Sequence, residues 1–206
     1  MKYFKIKSYC KINLTLRIVK KLSSGYHNIA SLITFCDLHD VVLISKIDNL
    51  TDQITFTGQF KQGINNQLNT LTNTLNLLRK NKLINKQSYR INIKKNIPHG
   101  SGLGGGSSNA ATLLNYFRSK KKINNKKLEK ISRQIGFDVP ISLKKKNTLL
   151  TGKGVQILRL NQNFKLNLLI VYPNIICSTK KIYKENRNKS LVDGNIFINK
   201  NTNKKL

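Results

Sequence analysis

The sequence predicts an α+β fold on three observations. Residues 11–19, KINLTLRIV, alternate apolar and polar side chains as a half-buried strand does. Residues 69–80, NTLTNTLNLLRK, place Leu71, Leu75 and Leu78 at helical spacing, with Leu68 just before them. Segments of both kinds are interleaved rather than grouped. This organisation holds to about residue 160, so residues 1–160 are expected to form one domain and 161–206 a partial second one.

Each element follows from local chemistry. In the first strand Ile12, Leu14, Leu16 and Ile18 are expected to face the core, and Lys11, Asn13, Thr15 and Arg17 the other side. SSGYHN, residues 23–28, is a turn. Residues 29–36 and 40–47 (DVVLISKI) are two further strands, and ITFTG, residues 54–58, is a short one stopped by Gly58. YRINIKK, residues 89–95, alternates again. From Ser107 the spacing of Ala110, Ala111, Leu113, Leu114 and Phe117 is helical, with Ser107, Ser108 and Asn109 as caps. A second, very basic helix, NNKKLEKISRQIG, closes at Gly136. A strand pair flanks TGKG, and KLNLLIVYP, residues 165–173, is expected to be a buried strand stopped by Pro173. The last residues, beyond about 184, carry too little apolar surface to fold alone.

Composition narrows the classes. Hydrophobic residues make up 39 % of the 206, with no run approaching the roughly 20 that a membrane span needs. The opening MKYFKIKSYCKINLTL has neither the apolar block nor the cleavage site of a signal peptide, so no membrane and a cytoplasmic location are expected. Cys10, Cys36 and Cys177 have neither metal-finger nor redox spacing and fit small apolar fillers in a reducing compartment. The net charge of +30 admits two readings. Lys, Asn and Ile are inflated together while Trp is absent, as a coding bias would produce. A polyanion partner is the other reading, with non-specific, salt-dependent nucleic-acid contact.

The glycines concentrate in PHGSGLGGGSSNAATLL, which starts at Pro98. A strand precedes this stretch and a helix follows it, so backbone N–H groups and a helix N-terminus converge on one loop. That is an anion cradle suited to phosphates. A P-loop would need a Lys directly after its glycines, and none is present. Gly100, Gly102 and Gly105 formally satisfy a dinucleotide fingerprint, but the acid expected roughly 20 residues on would be near Glu129, inside a Lys-rich helix. A flexible linker would not join a strand to a capped helix.

The string P-x-G-x-G-L-G-G-G-S-S-N-A-A resembles the second motif of the GHMP kinases. Three more segments resemble that superfamily in the same order: KINLTLRIVKKLSSGYHNI, IGFDVPISL and YPNIICSTKKIY. The resemblance runs from about residue 6 to about 185. It is closest to the branch that phosphorylates 4-diphosphocytidyl-2-C-methyl-D-erythritol in the non-mevalonate isoprenoid pathway. It implies a two-domain GHMP kinase-like α+β architecture, with an N-terminal domain that shares its fold with a ribosomal protein domain. It further implies transfer of the ATP γ-phosphoryl group to the 2-hydroxyl of that small-molecule substrate.

Site residues follow from the resemblance, position by position. Asp138 matches the general base, and Lys11 the cation beside it. Lys95, Pro98, His99, Gly100, Ser101, Gly102, Leu103, Gly104, Gly105, Gly106, Ser107, Ser108 and Asn69 match the ATP site. Asn13, Tyr26, His27, Thr179 and Tyr183 match the substrate site, the two tyrosines as stacking faces for a pyrimidine. The reaction implies a magnesium ion (Mg2+), for which only Asp138 and, as a minor ligand, Ser108 are candidates.

The chain departs from the family pattern in two ways. Ser101 stands where a glycine is usual, which demands φ < 0 or strain of about 1–3 kcal/mol. A third glycine motif of the type G-[ST]-G has no match, VDGNIF being a poor substitute, and the second domain is expected to be shortened. An exposed apolar face is then expected at 165–172, covered by a partner or by self-association, with reduced activity. Two other readings stay open: a basic RNA-binding protein on the same fold, and a degenerate kinase without activity.

Overall fold

Residues 27–47 carry a dense run of β-branched side chains, which pack well on a pleated surface. In the computed structural model, which describes residues 3–23, 27–162 and 165–173, they form the spine of the sheet. This strand, β2 (His27–Ile47), pairs antiparallel with β1 (Phe4–Lys21) along one edge. Its other edge is shared. β4 (Ser88–Lys94) pairs with residues 41–47 and β5 (Thr148–Gly152) with residues 29–33. β3 (Gln53–Thr57) lies parallel outside β4, and β6 (Gln156–Arg159) antiparallel outside β5. Between those two arms the edge of β2 is free of strands, and the glycine-rich loop leaves the sheet there.

The sequence divides this spine into strands 29–36 and 40–47, whereas the chain stays extended throughout. At the expected break the ladder with β1 shifts register, from Tyr9–His39 to Lys11–Phe35, so that residues 36–38 form an irregularity within one strand.

The helices α1 (Thr70–Lys80), α2 (Gly105–Lys121) and α3 (Asn125–Ile135) pack on the sheet, as the interleaved pattern predicts. Val42, Ile44, Ile91 and Ile93 meet Leu71, Leu75, Leu78, Leu113, Leu114 and Phe117, all essentially inaccessible to solvent. Each such side chain contributes roughly 1.5–3 kcal/mol of burial. Ala110 and Ala111 let α2 approach its neighbours closely, which places the glycine loop over the sheet's fork.

Three expectations are corrected. First, β1 does not keep one face. Asn13 pairs with Ile33 but Thr15 with Leu32, so Leu14 is the extra residue of a bulge and the side-chain alternation inverts after it. Leu16 and Ile18 therefore share a face with Lys11 and Asn13, and all four line one cleft. Lys11 is buried and Leu16 half-exposed, the reverse of the alternation rule. Second, α2 starts before its expected caps. Gly104, at φ 70°, is the N-cap, so Ser107, Ser108 and Asn109 lie inside the helix. Third, residues 165–173 form no strand. Leu166, Leu168, Leu169 and Val171 are exposed, as the expected uncovered apolar face requires, but no sheet edge among the described residues pairs with them.

Cys10 is buried and its thiol lies 2.9 Å from that of half-buried Cys36. Burial, then the neighbouring sulfur, pushes the Cys10 thiol well above its ordinary value. Cys177 and the residues beyond 184 lie outside the described residues.

One polar contact pins α1 to the sheet. Arg79 donates to both oxygens of Asp52 at 2.6 and 2.9 Å and to the Gln87 carbonyl at 3.0 Å. Asp52 also accepts the Tyr89 N–H at 2.9 Å. Asp52→Ala strips the guanidinium and an amide of their acceptor together. Urea denaturation is expected to register a loss of about 2–3 kcal/mol; a loss below about 0.5 kcal/mol would mean that water replaces the carboxylate.

Candidate active site

The glycine loop is set by what flanks it. At Lys94 strand β4 ends, and its next amides lose their strand partner. The Lys95 N–H turns to the Thr57 carbonyl at 2.7 Å. Those of Asn96 and Ile97 turn to the carboxylate of Asp40, at 2.8 and 2.9 Å. The loop then runs from Pro98 to Gly104. Lys82 and Lys122 are the only non-glycine residues with positive φ among those described, so Ser101 meets its backbone condition. Its hydroxyl donates to the Pro98 carbonyl at 2.8 Å.

Gly104 answers two demands. Its φ of 70° is left-handed, and a Cβ there would stand 2.7 Å from Cγ of Lys11. The Lys11 stem thus lies across the start of α2, while its backbone N–H donates to the Leu103 carbonyl at 3.0 Å. The ammonium donates to Oδ1 of Asn13 at 2.7 Å and stands 3.3 Å from Oδ2 of Asp138. Asn13 in turn donates to the Ser31 hydroxyl at 2.7 Å, and that hydroxyl to the Thr15 carbonyl at 2.6 Å. This relay fixes the ammonium from behind.

Asp138 occupies the N-cap position of a short helix, α4 (Val139–Ser142), yet its side chain caps nothing. The carboxylate is therefore free to face Lys11, and it is 37 % exposed, open to a solute. Arg159 of β6 braces the turn from below by donating to the Pro140 and Ile141 carbonyls at 2.7 and 2.8 Å. Burial lowers the Arg159 pKa from its ordinary value. Sequence reasoning missed this residue, because an arginine in a surface-like strand carries no signal of its partner.

These parts line one cleft of about 850 Å³. Lys11, Asn13 and Asp138 stand on one wall. Asn69, Lys95, Pro98, His99, Gly100, Ser101, Gly102, Gly104, Gly105, Gly106 and Ser107 line the rest, with an apolar end at Leu16, Ile18, Ile29 and Leu150. Two residues assigned to the ATP site lie elsewhere. Leu103 contributes its carbonyl to Lys11. Ser108, 3 % exposed, bonds the Ser142 hydroxyl at 3.2 Å beside a separate groove between β1 and α2, because the helix begins a turn early. Asn69 lines the cleft, but its oxygen caps α1 by accepting from Leu71 and Thr72. Its amide donates to the carbonyls of Asn65 and Asn66.

Lys95 is 3 % exposed and ion-paired to fully buried Asp40, so its charge is already matched. His27 stands two residues before Ile29 on the same face of β2 without lining the cleft. Tyr26, Thr179 and Tyr183 lie outside the described residues. Tyr172 places its hydroxyl 3.5 Å from the His99 carbonyl, edge-on to Phe60.

A glycine loop at a helix N-terminus thus faces a lysine–aspartate pair in one cleft, an arrangement suited to phosphoryl transfer. Comparison with known proteins agrees. Residues 69–146 match the family model for the GHMP kinases N terminal domain. A 4-diphosphocytidyl-2-C-methyl-D-erythritol kinase of Pelagibacter ubique (strain HTCC1062) is 43 % identical over 187 residues, 90 % of this chain and 66 % of the relative. One from Petrotoga mobilis (strain DSM 10674 / SJ95) is 33 % identical over 87 % of this chain and 68 % of its own length. A crystal structure of 4-(cytidine 5'-diphospho)-2C-methyl-D-erythritol kinase superposes with a TM-score of 0.62 at 26 % identity, covering 76 % of this chain and 55 % of that one. This chain belongs to the 4-diphosphocytidyl-2-C-methyl-D-erythritol kinase family of the GHMP kinases. It spans 61 to 68 % of the length of the curated relatives it matches. Among the described residues no helix is long and apolar enough to cross a membrane.

Proposed function

We propose that this chain transfers the γ-phosphoryl group of ATP to the 2-hydroxyl of 4-diphosphocytidyl-2-C-methyl-D-erythritol. The observation that carries the reading is the Lys11–Asp138 pair standing in one cleft with the glycine loop. Asp138 accepts the alcohol proton as the oxygen attacks phosphorus. Lys11, 3.3 Å from that carboxylate, sits beside the developing negative charge. The amides of the loop and of the first turn of α2 hold the triphosphate. The apolar end of the cleft takes the less polar part of the acceptor, and the family match assigns Tyr26, His27, Thr179 and Tyr183 to its cytidine.

Among the described residues no three of His, Cys, Asp and Glu gather as a metal cage, and Asp138 is the only carboxylate lining the cleft. That donor set fits a magnesium ion carried in on phosphate oxygens and water. Such an ion would neutralise the charge of the transferred group.

The test is incubation with Mg-ATP and the diphosphocytidyl acceptor, followed by mass detection of a phosphorylated product. A folded protein that yields none would overturn the reading. The cytoplasm, which supplies ATP, is the location proposed for it. The exposed Leu166, Leu168, Leu169 and Val171 further favour self-association through that segment. Sedimentation at low ionic strength is expected to give a species heavier than one chain, and a monomer at all concentrations would count against it.

A further inference from the structure

Asp40 is the one fully buried carboxylate among the described residues, and it touches neither a substrate surface nor Asp138. Its position follows from the sheet. It lies at the fork of β2, one residue before the rungs that β4 shares with that strand. The departing chain has two amides in need of an acceptor, and the Oδ1 atom takes both, from Asn96 and Ile97. Oδ2 takes the Lys95 ammonium and, at 3.0 Å, the amide of Asn109. Lys95 to Ile97 lead into the glycine loop, and Asn109 is the fifth residue of the helix that leaves it. One carboxylate therefore joins both ends of the loop. The Lys95 ammonium also stands 3.2 Å from where a Cβ on Gly105 would lie, directly beneath the helix start.

We propose that Asp40 is the positioning residue of the nucleotide site: its carboxylate ties the entry of loop 98–104 to the first turns of α2, so that the phosphate-binding amides are aligned before nucleotide arrives. This rests on the kinase reading above. It also gives Lys95 a different part from a phosphate ligand. Lys95 neutralises Asp40, so the cradle's attraction for anions comes from aligned N–H groups and the helix end. An array aligned in advance loses less freedom on binding, so its loosening appears in nucleotide affinity and not in acceptor affinity.

The test compares Asp40→Asn, Lys95→Met and the double variant Asp40→Asn/Lys95→Met with the parent protein. Calorimetric titration reads the Kd for ADP and for CDP, scanning calorimetry the Tm, and amide exchange the loop without ligand. For Asp40→Asn, ADP binding is expected to weaken about tenfold or more, with CDP binding within about twofold. Exchange of the loop and first-turn amides, residues 99–106, should accelerate about tenfold. The double variant removes both charges and should recover much of the Tm lost by either single variant, while ADP binding stays about tenfold weak. If the single variants do not fold, the double variant carries the same comparison.

Wild-type or tighter ADP binding by Asp40→Asn would overturn the proposal and return Lys95 to the phosphates. So would a double variant in which Tm and ADP affinity recover together, since Asp40 would then serve stability alone. The exchange arm needs no nucleotide. A parent protein that fails to bind ADP, with a loop still loosened by Asp40→Asn, would sink the kinase reading and keep the clamp.

Discussion

Asp138→Asn is expected to fall about 10²–10⁴-fold in kcat while ADP binding and Tm stay near the parent values. The substitution is nearly isosteric, and the side chain it replaces caps no helix, so the fold loses little. What it loses is a proton acceptor. An amide beside the Lys11 ammonium can accept a hydrogen bond but cannot deprotonate an alcohol. Steady-state kinetics at saturating substrates, with ADP titration alongside, separates this from a binding defect. A kcat within about threefold of the parent would remove Asp138 from the chemistry and leave its pairing with Lys11 an ordinary ion pair.

Gly104→Ala is expected to damage both stability and turnover. The left-handed backbone of that residue costs a side-chain-bearing residue about 1–2 kcal/mol. The new methyl would also stand 2.7 Å from Cγ of Lys11. Relief requires the lysine stem to move, which takes the ammonium from Asn13 and Asp138, so kcat should drop more than about tenfold. Gly152→Ala supplies the comparison. Its φ of 68° imposes similar strain, but its nearest neighbour is a Gln156 side-chain atom at 3.7 Å, an ordinary contact. That variant should lose comparable stability and keep its turnover. Equal kinetic losses in the two would trace the effect to strain in general and not to the collision with Lys11.

The readable parts of the molecule are those whose signal is local. A glycine run between an alternating segment and an alanine–leucine helix announces the loop within a few residues, and Gly136 punctuates its helix in the same way. The motif around Asp138 marks a turn, and the structure brings that turn to Lys11, 127 positions away in sequence, at 3.3 Å. What stayed hidden depends on register. Nothing in KINLTLRIV reveals that Leu14 bulges; the inversion appears only when β2 supplies the partner residues. Asp40 likewise looks like the polar start of a strand, because its four partners lie 55 to 69 positions onward. Lys95 matches the family's ATP site in sequence, but nothing there marks it as the counter-charge of a buried acid. Residues 165–173 show the converse. Their apolar run is strand-like, but a strand forms only where an edge accepts it.

The parting of the two arms along β2 has an evolutionary corollary. One arm supports the loop proposed to hold the phosphate donor, and the other backs the apolar end where the acceptor would rest. Substitutions that reshape the outer strands of the acceptor arm can therefore accumulate without shifting those of the donor arm, since within the sheet the two share β1 and β2. A scaffold divided in this way can exchange one alcohol for another while conserving its way of holding the triphosphate.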